Sequence, residues 1–136
     1  MDSTFFKHIR TIAIVGLSDK PKRPSYSVGT YLRSKGFTIV PVNPTISAWH
    51  DLVSYPSISA VPKSIHIDVV DVFRKSAEVA GIVNEVIERG GIQMVWLQEG
   101  ISDPEAEDRA RKSGVHLVSN MCIMKTHQAT TSFTNL

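Results

Sequence analysis

The sequence predicts an α/β fold, namely a Rossmann-like, doubly wound parallel sheet of five strands with helices on both faces. This prediction rests on five short apolar runs rich in Ile and Val, and on segments with helix signals between them. Continuous apolar runs are typical of strands buried on both faces of a parallel sheet. The length of 136 residues, with 42% apolar and 21% charged residues, suits a single globular domain over residues 1–136.

The five apolar runs are the predicted strands. In chain order they are Thr11–Gly16, Thr38–Val42, Ile67–Phe73, Gln93–Leu97 and Val115–Val118. Right-handed crossovers join successive parallel strands, and for a doubly wound sheet we predict the strand order 3-2-1-4-5.

Helix signals occupy three of the intervening segments. Helices are predicted over Ser25–Lys35, from Ser76 to Gly90, and from Asp103 to about Gly114. Each ends at or near a glycine, and Ser76 and Asp103 are the predicted N-caps of the second and third. The second of these also has apolar residues at helical spacing along one face.

Two other features of the chain leave alternatives open. Gly29 lies inside the first predicted helix, where glycine is unfavourable, so either a ligand approaches the backbone there or the helix packs tightly on the sheet. The proline-containing segment Asn43–Ile65 has little periodicity, and we predict an irregular crossing with a short helix around Trp49–Val53.

Charge and cysteine content exclude several classes of protein. Fifteen Lys and Arg against 13 Asp and Glu give a net charge of +2, which does not indicate nucleic-acid binding. The single cysteine excludes an intramolecular disulfide and a multi-cysteine zinc site, and the histidines lack metal-ligand spacing. No early apolar run suits a signal peptide or a membrane span, so we expect a cytoplasmic protein that does not bind membranes.

The turn after the first predicted strand carries the strongest indication of a binding site. Ligands of open α/β sheets lie at the carboxyl ends of the strands. Gly16 permits a sharp turn there, and the following helix presents unpaired N–H groups and a partial positive charge. With Lys20, Lys22 and Arg23 close by, this turn is suited to a phosphate or diphosphate, although a solvated basic loop would have the same composition.

The neighbouring strand ends narrow the identity of that ligand. Only Gly16 of the G-x-G-x-x-G dinucleotide motif is present, no P-loop occurs, and the second run ends in Pro41-Val42-Asn43-Pro44 without an acidic residue for a ribose. These departures disfavour NAD, FAD and P-loop ligands, while the apolar prolines suit an adenine ring. The third and fourth runs end in Phe73-Arg74 and in Gln98-Glu99-Gly100, which adds a further cation and a carboxylate to the same edge.

Four motifs together resemble those of the small stand-alone CoA-binding proteins, a family similar to the N-terminal CoA-binding domain of the succinyl-CoA synthetase alpha subunit. They are the Gly16-Leu17-Ser18 turn with the Arg-Pro-Ser-Tyr after it, Pro41-Val42-Asn43-Pro44, the segment Asp68 to Arg74, and the segment Val95 to Ile101. They occur in order between residue 11 and about residue 127.

The resemblance implies a Rossmann-like domain that binds coenzyme A, or an acyl-CoA, across the strand ends. Together with the charge argument, it predicts contacts to the coenzyme from Gly16, Leu17, Ser18, Lys20, Lys22, Arg23, Pro24, Ser25, Tyr26, Val28, Pro41, Asn43, Pro44, Val72, Phe73, Arg74, Glu99 and Gly100. Ligase activity is not implied, because the histidine phosphorylated in the synthetase belongs to a further domain.

Two functions therefore remain open. The chain is either a non-catalytic CoA-binding module, acting as a carrier, a sensor or the partner of an enzyme, or a small CoA-dependent enzyme or thiol-redox protein. The second function would use Cys122 with His127 or Glu99. We favour the first, for which no catalytic residue is predicted. The acyl group, the partner protein and the formation of a homo-oligomer stay open.

Overall fold

The computed structural model describes residues 3–134. One sheet contains five parallel strands: β1 (Thr11–Val15), β2 (Thr38–Val42), β5 (Val69–Val72), β6 (Met94–Leu97) and β7 (His116–Val118). A small antiparallel pair is formed by β3 (Ala48–Trp49) and β4 (Leu52–Val53). The helices are α1 (Ser3–Lys7), α2 (Pro24–Ser34), α3 (Val79–Arg89), α4 (Pro104–Lys112) and α5 (Ile123–Thr134). The predicted α/β class and the five-stranded parallel sheet are confirmed.

The predicted strand order is wrong, because the third long strand lies on the other side of the first. The order is β2-β1-β5-β6-β7, which is 2-1-3-4-5 in terms of the five apolar runs. Pro41 explains the difference, since proline lacks the N–H that a strand between two neighbours must donate. The side of β2 that faces away from β1 contacts a loop. There the Tyr55 N–H donates to the Pro41 carbonyl at 3.0 Å, and the Asn43 N–H donates to the Tyr55 carbonyl at 2.8 Å. Thus β2 is an edge strand.

Alternating strand residues divide the core into two layers, one on each face of the sheet. Ala13 and Val15 face the layer that holds the apolar sides of α3 and α4. Ile12 and Ile14 face the opposite layer, to which α1, α2, α5 and Trp49 contribute. Helices on both faces are therefore confirmed.

The first and third predicted helices are present within one or two residues of their expected bounds. The second, α3, begins at Val79 and not at Ser76, because Ser76–Glu78 forms a short 3-10 helix. Ser76 does not cap α3, since its Oγ accepts the Ser102 N–H at 3.1 Å. The Asp103 side chain caps α4 by accepting the Ala106 N–H at 3.2 Å, while Glu107 accepts the Asp103 N–H at 2.8 Å. In contrast, Trp49–Val53 is not a helix but the β3–β4 hairpin, whose turn holds His50 at φ +54°.

Gly29 reflects tight packing of α2 on the layer beneath it. A Cβ at this position would lie 3.0 Å from Leu17 Cδ1 and 3.2 Å from Trp49 Cζ2. The packing alternative is therefore the correct one.

Candidate functional site

A cleft with a volume of about 780 Å³ opens at the carboxyl edge of the sheet, and we call it the carboxyl-edge cleft. The loops after β1, β2, β5 and β6 and the beginnings of α2 and α5 surround it. From the adjacent strands β1 and β5, the chain leaves in opposite directions, toward β2 and toward β6. This is the topological switch point at which open α/β sheets bind ligands, and the volume is typical of small-molecule sites.

The floor of the cleft depends on Gly16. Its φ is +89°, and its N–H donates to the Val42 carbonyl at 2.8 Å. A Cβ on this residue would lie 2.8 Å from Arg74 Cδ and 3.3 Å from the backbone carbonyl group of Phe73. Glycine therefore lets the loops after β1 and β5 approach each other closely.

The β1–α2 loop presents positive charge to the cleft. Ser25 Oγ accepts the Ser18 N–H at 2.9 Å, and Ser18 Oγ accepts the Lys20 N–H at 3.0 Å, which fixes the path of the loop. No side chain caps α2, whose N-cap is Arg23 and whose first residue is Pro24. The positive end of the α2 dipole is thus open to an anion.

The charges of this loop are largely uncompensated. Within residues 3–134, Lys20, Lys22 and Arg23 form no ion pair with a carboxylate. Lys20 and Arg23 line the cleft, as does the carboxylate of Asp19. Two cations and a helix N-terminus against one carboxylate leave a net positive surface.

Asn43 joins the loop after β2 to the loop after β1. The buried side chain donates from Nδ2 to the Leu17 carbonyl at 3.0 Å, and its Oδ1 accepts from the Thr45 N–H at 2.9 Å and from Thr45 Oγ1 at 2.8 Å. Its polar atoms are engaged within the protein, so Asn43 shapes the cleft wall that Thr45 and Ile46 continue.

Arg74 and Glu99 lie on the rim but already have partners of opposite charge. Arg74 Nη2 is 3.1 Å from Glu78 Oε1, and Lys125 Nζ is 3.2 Å from Glu99 Oε1. All four side chains are exposed, so solvent screens both pairs. The positive charge expected of Arg74 is therefore partly compensated by Glu78.

The predicted contact residues divide into two groups by position. Those that line the cleft are Gly16, Ser18, Lys20, Arg23, Pro24, Ser25, Val28, Asn43, Phe73, Arg74 and Glu99. Those outside its lining are Leu17, Lys22, Tyr26, Pro41, Pro44, Val72 and Gly100.

The residues outside the lining have other surroundings. Leu17 and Val72 have no exposed surface and belong to the two core layers. Tyr26 packs against Trp49 and His50, with ring centroids 5.8 and 5.4 Å away. Pro44 lines a smaller cavity of about 150 Å³, which shares Gly16 and Arg74 with the cleft. Direct side-chain contact with a ligand in the cleft is not available to Leu17 or Val72.

The start of α5 forms one end of the cleft. Cys122 was predicted as a candidate thiol for CoA chemistry, whereas the helix that brings Met124 and Lys125 there was not predicted. Cys122, Met124 and Lys125 line this end together with Gln98. The segment returns to the end of β6, where the Met121 N–H donates to the Leu97 carbonyl at 3.3 Å and the Ile123 N–H donates to Gln98 Oε1 at 3.1 Å. Gln98 directly follows β6, and this position was the sequence signal that could have indicated this end of the cleft.

The alternative that pairs Cys122 with His127 as thiol and base is wrong. His127 lines a groove at the opposite edge of the sheet with Phe37 and Thr38, and its Nδ1 is 2.7 Å from the Tyr31 hydroxyl. Burial and the nearby Lys35 charge lower the pKa of His127. Five residues along a helix turn a side chain to another face, so the imidazole does not share the cleft with the thiol.

Asp71 lies in the middle of the sheet, outside the cleft. The side chain is fully buried, and neither carboxyl oxygen has a hydrogen-bond partner among the described residues. Burial raises the pKa of Asp71 well above its ordinary value, because a charged carboxylate is unstable without solvent or a partner.

No helix in the described part of the chain has the length and apolar character needed to cross a bilayer.

Comparison with known proteins places the chain among relatives of similar size. Residues 10–128 match the model of a family described as a CoA binding domain. The uncharacterized protein YneT of Bacillus subtilis (strain 168) is 33% identical over 121 residues, covering 89% of this chain and 87% of that protein. The structure of a hypothetical protein from Pyrococcus horikoshii OT3 has a TM-score of 0.88 at 32% identity, with coverage of 94% of this chain and 88% of the other.

A larger protein contains a similar domain. The dinucleotide-forming acetyl-coenzyme A synthetase 1 of Ca. Korarchaeum cryptofilum has a TM-score of 0.70 at 25% identity. The match covers 81% of this chain and 26% of the synthetase chain. The similarity therefore concerns one part of that synthetase.

Proposed function

The chain belongs to the CoA binding domain family, and from this membership we propose that it binds coenzyme A or an acyl-CoA in the carboxyl-edge cleft, without catalysing a reaction. Such a module would act as a carrier, a sensor or the partner of an enzyme. A homo-oligomer is compatible with each of these roles.

The observation that carries this proposal is the uncompensated positive charge at the β1–α2 loop. Coenzyme A bears a diphosphate and a 3′-phosphate. Lys20, Arg23 and the uncapped N-terminus of α2 face the cleft without an ion-pair partner among residues 3–134. Phosphate groups are stabilised by N–H groups at a helix N-terminus and by flanking cations.

The fit of the coenzyme to the cleft also depends on its shape. The positive φ of Gly16 shapes the turn that lines the cleft, and the diphosphate would lie against this turn. The adenosine would lie toward the wall formed by Thr45 and Ile46, and the pantetheine arm would run past Phe73 toward Gln98. Two strand spacings, about 10 Å, separate β1 from β6, a distance that the pantetheine arm with its two amide groups can span.

A CoA-dependent enzyme or thiol-redox protein is the second candidate. Cys122 and Glu99 both line the cleft, which supports it. However, His127 lies at the opposite edge and is not available as a base beside the thiol, and the Glu99 carboxylate is paired with Lys125. Binding without catalysis is therefore the function we favour.

A thermal-shift titration tests the proposal, with coenzyme A, dephospho-CoA, acetyl-CoA, NAD and ATP as ligands. A ligand at 100 times its Kd adds about 2.7 kcal/mol of stability, which is a measurable rise in Tm. We expect coenzyme A and acetyl-CoA to stabilise the protein more than NAD or ATP, and dephospho-CoA to have a smaller effect. No shift with coenzyme A or its thioester in dilute buffer would refute the proposal.

A further inference from the structure

A second groove lies beside the α5 end of the carboxyl-edge cleft. It has a volume of about 480 Å³ and shares Glu99, Cys122 and Lys125 with the cleft. The groove, called the side groove here, is lined by Glu99, Asn120, Met121, Cys122, Lys125, Thr126, Ala129 and Thr130. Because both cavities share these lining residues, the side groove is adjacent to the α5 end of the cleft.

The walls of the side groove favour an apolar occupant. Met121 is 45% exposed. Among the described residues, Met121 and Val53 are the two large apolar residues that are exposed. The hydroxyls of Thr126 and Thr130 donate to the Cys122 and His127 carbonyls at 3.0 and 2.8 Å. The hydroxyl protons of both threonines are therefore bonded within α5. Met121 and Ala129 present apolar surface, and its removal from water by a ligand is favourable.

Gln98 supplies a hydrogen-bond donor near the junction of the two cavities. Gln98 is 5% exposed and lines the cleft. Oε1 accepts from the Ile123 N–H at 3.1 Å, which fixes the orientation of the amide, and no other hydrogen bond of this side chain occurs among the described residues. Nε2 has no protein partner among the described residues and is not fully buried, so a carbonyl oxygen of a bound ligand would accept its hydrogen bond in place of water.

Charge excludes one class of occupant. Among the described residues that line the side groove, Lys125 is the one cation, and its Nζ is 3.2 Å from Glu99 Oε1. An acyl group that itself carries a carboxylate would therefore lie near the Glu99 carboxylate, while the charge of Lys125 is already paired. An uncharged chain avoids this repulsion.

Building on the proposed function, we infer that the side groove holds the acyl group of a CoA thioester, and that this group is an uncharged aliphatic chain. The pantetheine arm brings its sulfur to the α5 end of the cleft, with Gln98 Nε2 donating to a carbonyl of the arm or of the thioester. The chain beyond the carbonyl then covers Met121 and Ala129.

The expected effect follows from the area that each methylene buries. Complete burial of one methylene strengthens binding about fourfold. The side groove is open on one side, so about half of that free energy, or about twofold per methylene, is expected. Hexanoyl-CoA has four more methylenes than acetyl-CoA and should bind about 15-fold more tightly.

Isothermal titration calorimetry of the full chain with coenzyme A, acetyl-CoA, butyryl-CoA and hexanoyl-CoA tests the inference. Ala129→Trp should fill the side groove, leave the Kd for coenzyme A unchanged and abolish the gain with chain length. Gln128→Trp is the matched control, since this exposed neighbour lies outside the lining of the groove, and it should retain the gain.

The possible results separate the two claims. Equal affinity for acetyl-CoA and hexanoyl-CoA, or a gain that persists in Ala129→Trp, would overturn the acyl assignment and leave CoA binding intact. If neither coenzyme A nor any thioester binds, the proposed function itself fails and the acyl assignment with it.

Discussion

Replacing Gly16 with alanine tests whether the close approach of two loops forms the floor of the carboxyl-edge cleft. Gly16 has φ +89°, and its substituted Cβ would lie 2.8 Å from Arg74 Cδ and 3.3 Å from the Phe73 backbone. The Arg74 side chain is flexible and can move, but the Phe73 backbone belongs to the loop after β5 and resists displacement. The substitution therefore combines backbone strain with steric crowding.

Gly36→Ala is a matched control for the backbone strain alone. Gly36 has φ +95°, and a Cβ there would meet nothing within 4 Å. A left-handed conformation costs a non-glycine residue about 1–2 kcal/mol, partly offset by the lower entropy of the unfolded chain, so we expect a net loss of about 1 kcal/mol. Crowding adds about 1–2 kcal/mol for Gly16→Ala, giving a total of about 2–3 kcal/mol.

Thermal unfolding measures the difference between the two variants. For a domain of this size 1 kcal/mol lowers Tm by about 4 °C, so we expect losses of about 4 °C for Gly36→Ala and about 8–12 °C for Gly16→Ala. Gly16→Ala should also weaken CoA binding, whereas Gly36→Ala should not. Equal losses of Tm would show that the approach of the two loops at Gly16 is unimportant and would refute the reasoning.

Three further predictions follow from charge and burial. The pKa of Asp71 is higher in the folded state than in the unfolded chain, so the native state binds more protons. The free energy of unfolding therefore falls as the pH rises from about 3.9, the unfolded pKa, to the folded pKa. The slope reaches up to about 1.4 kcal/mol per pH unit. Urea titrations should show this slope in the wild type and not in Asp71→Asn; parallel profiles would contradict the assignment. The double variant Lys20→Ala/Arg23→Ala should bind CoA about tenfold to a hundredfold more weakly, with a smaller dependence of affinity on salt. The control Lys63→Ala should bind like the wild type. Unchanged affinity of the double variant would place the phosphates elsewhere. Cys122→Ser should leave CoA affinity nearly unchanged if the chain only binds, and a mixed disulfide found by mass spectrometry only in the wild type would instead support thiol chemistry.

The sheet was predictable because its strands are buried on both faces and therefore read as continuous apolar runs. The resemblance found in four sequence motifs was confirmed by the family match over residues 10–128. The order of the strands was also encoded, although less visibly. Pro41 inside β2 marks an edge strand, which is incompatible with an order that puts β2 between two partners.

The elements that were missed lack a strong local pattern. The hairpin at Trp49–Val53 is held by two short strands and by burial of Trp49 against Gly29 rather than by a turn motif. Helix α5 is rich in threonine, a weak helix former, so its helical state depends on packing of Ile123 and His127. Tertiary contacts of this kind are not visible in a local reading of the sequence.

The candidate site shows the same division between local and distant contributions. The β1–α2 loop was predictable because its glycine, serines and cations follow one strand directly. The α5 end was not, because Cys122 reaches the cleft only when residues 121–123 return to the end of β6. Gln98 and Cys122 are brought together by a hydrogen bond between Gln98 and Ile123, residues that are 25 positions apart in the sequence.

Amide chemical shifts, measured by two-dimensional NMR during a titration with coenzyme A, test the central claim most directly. If the coenzyme lies in the carboxyl-edge cleft, the largest shifts should occur at Gly16, Ser18, Ser25 and Gln98, while Gly36 and Thr38 at the opposite edge of the sheet should be unaffected. Shifts confined to the opposite edge, or none at saturating coenzyme, would contradict the account.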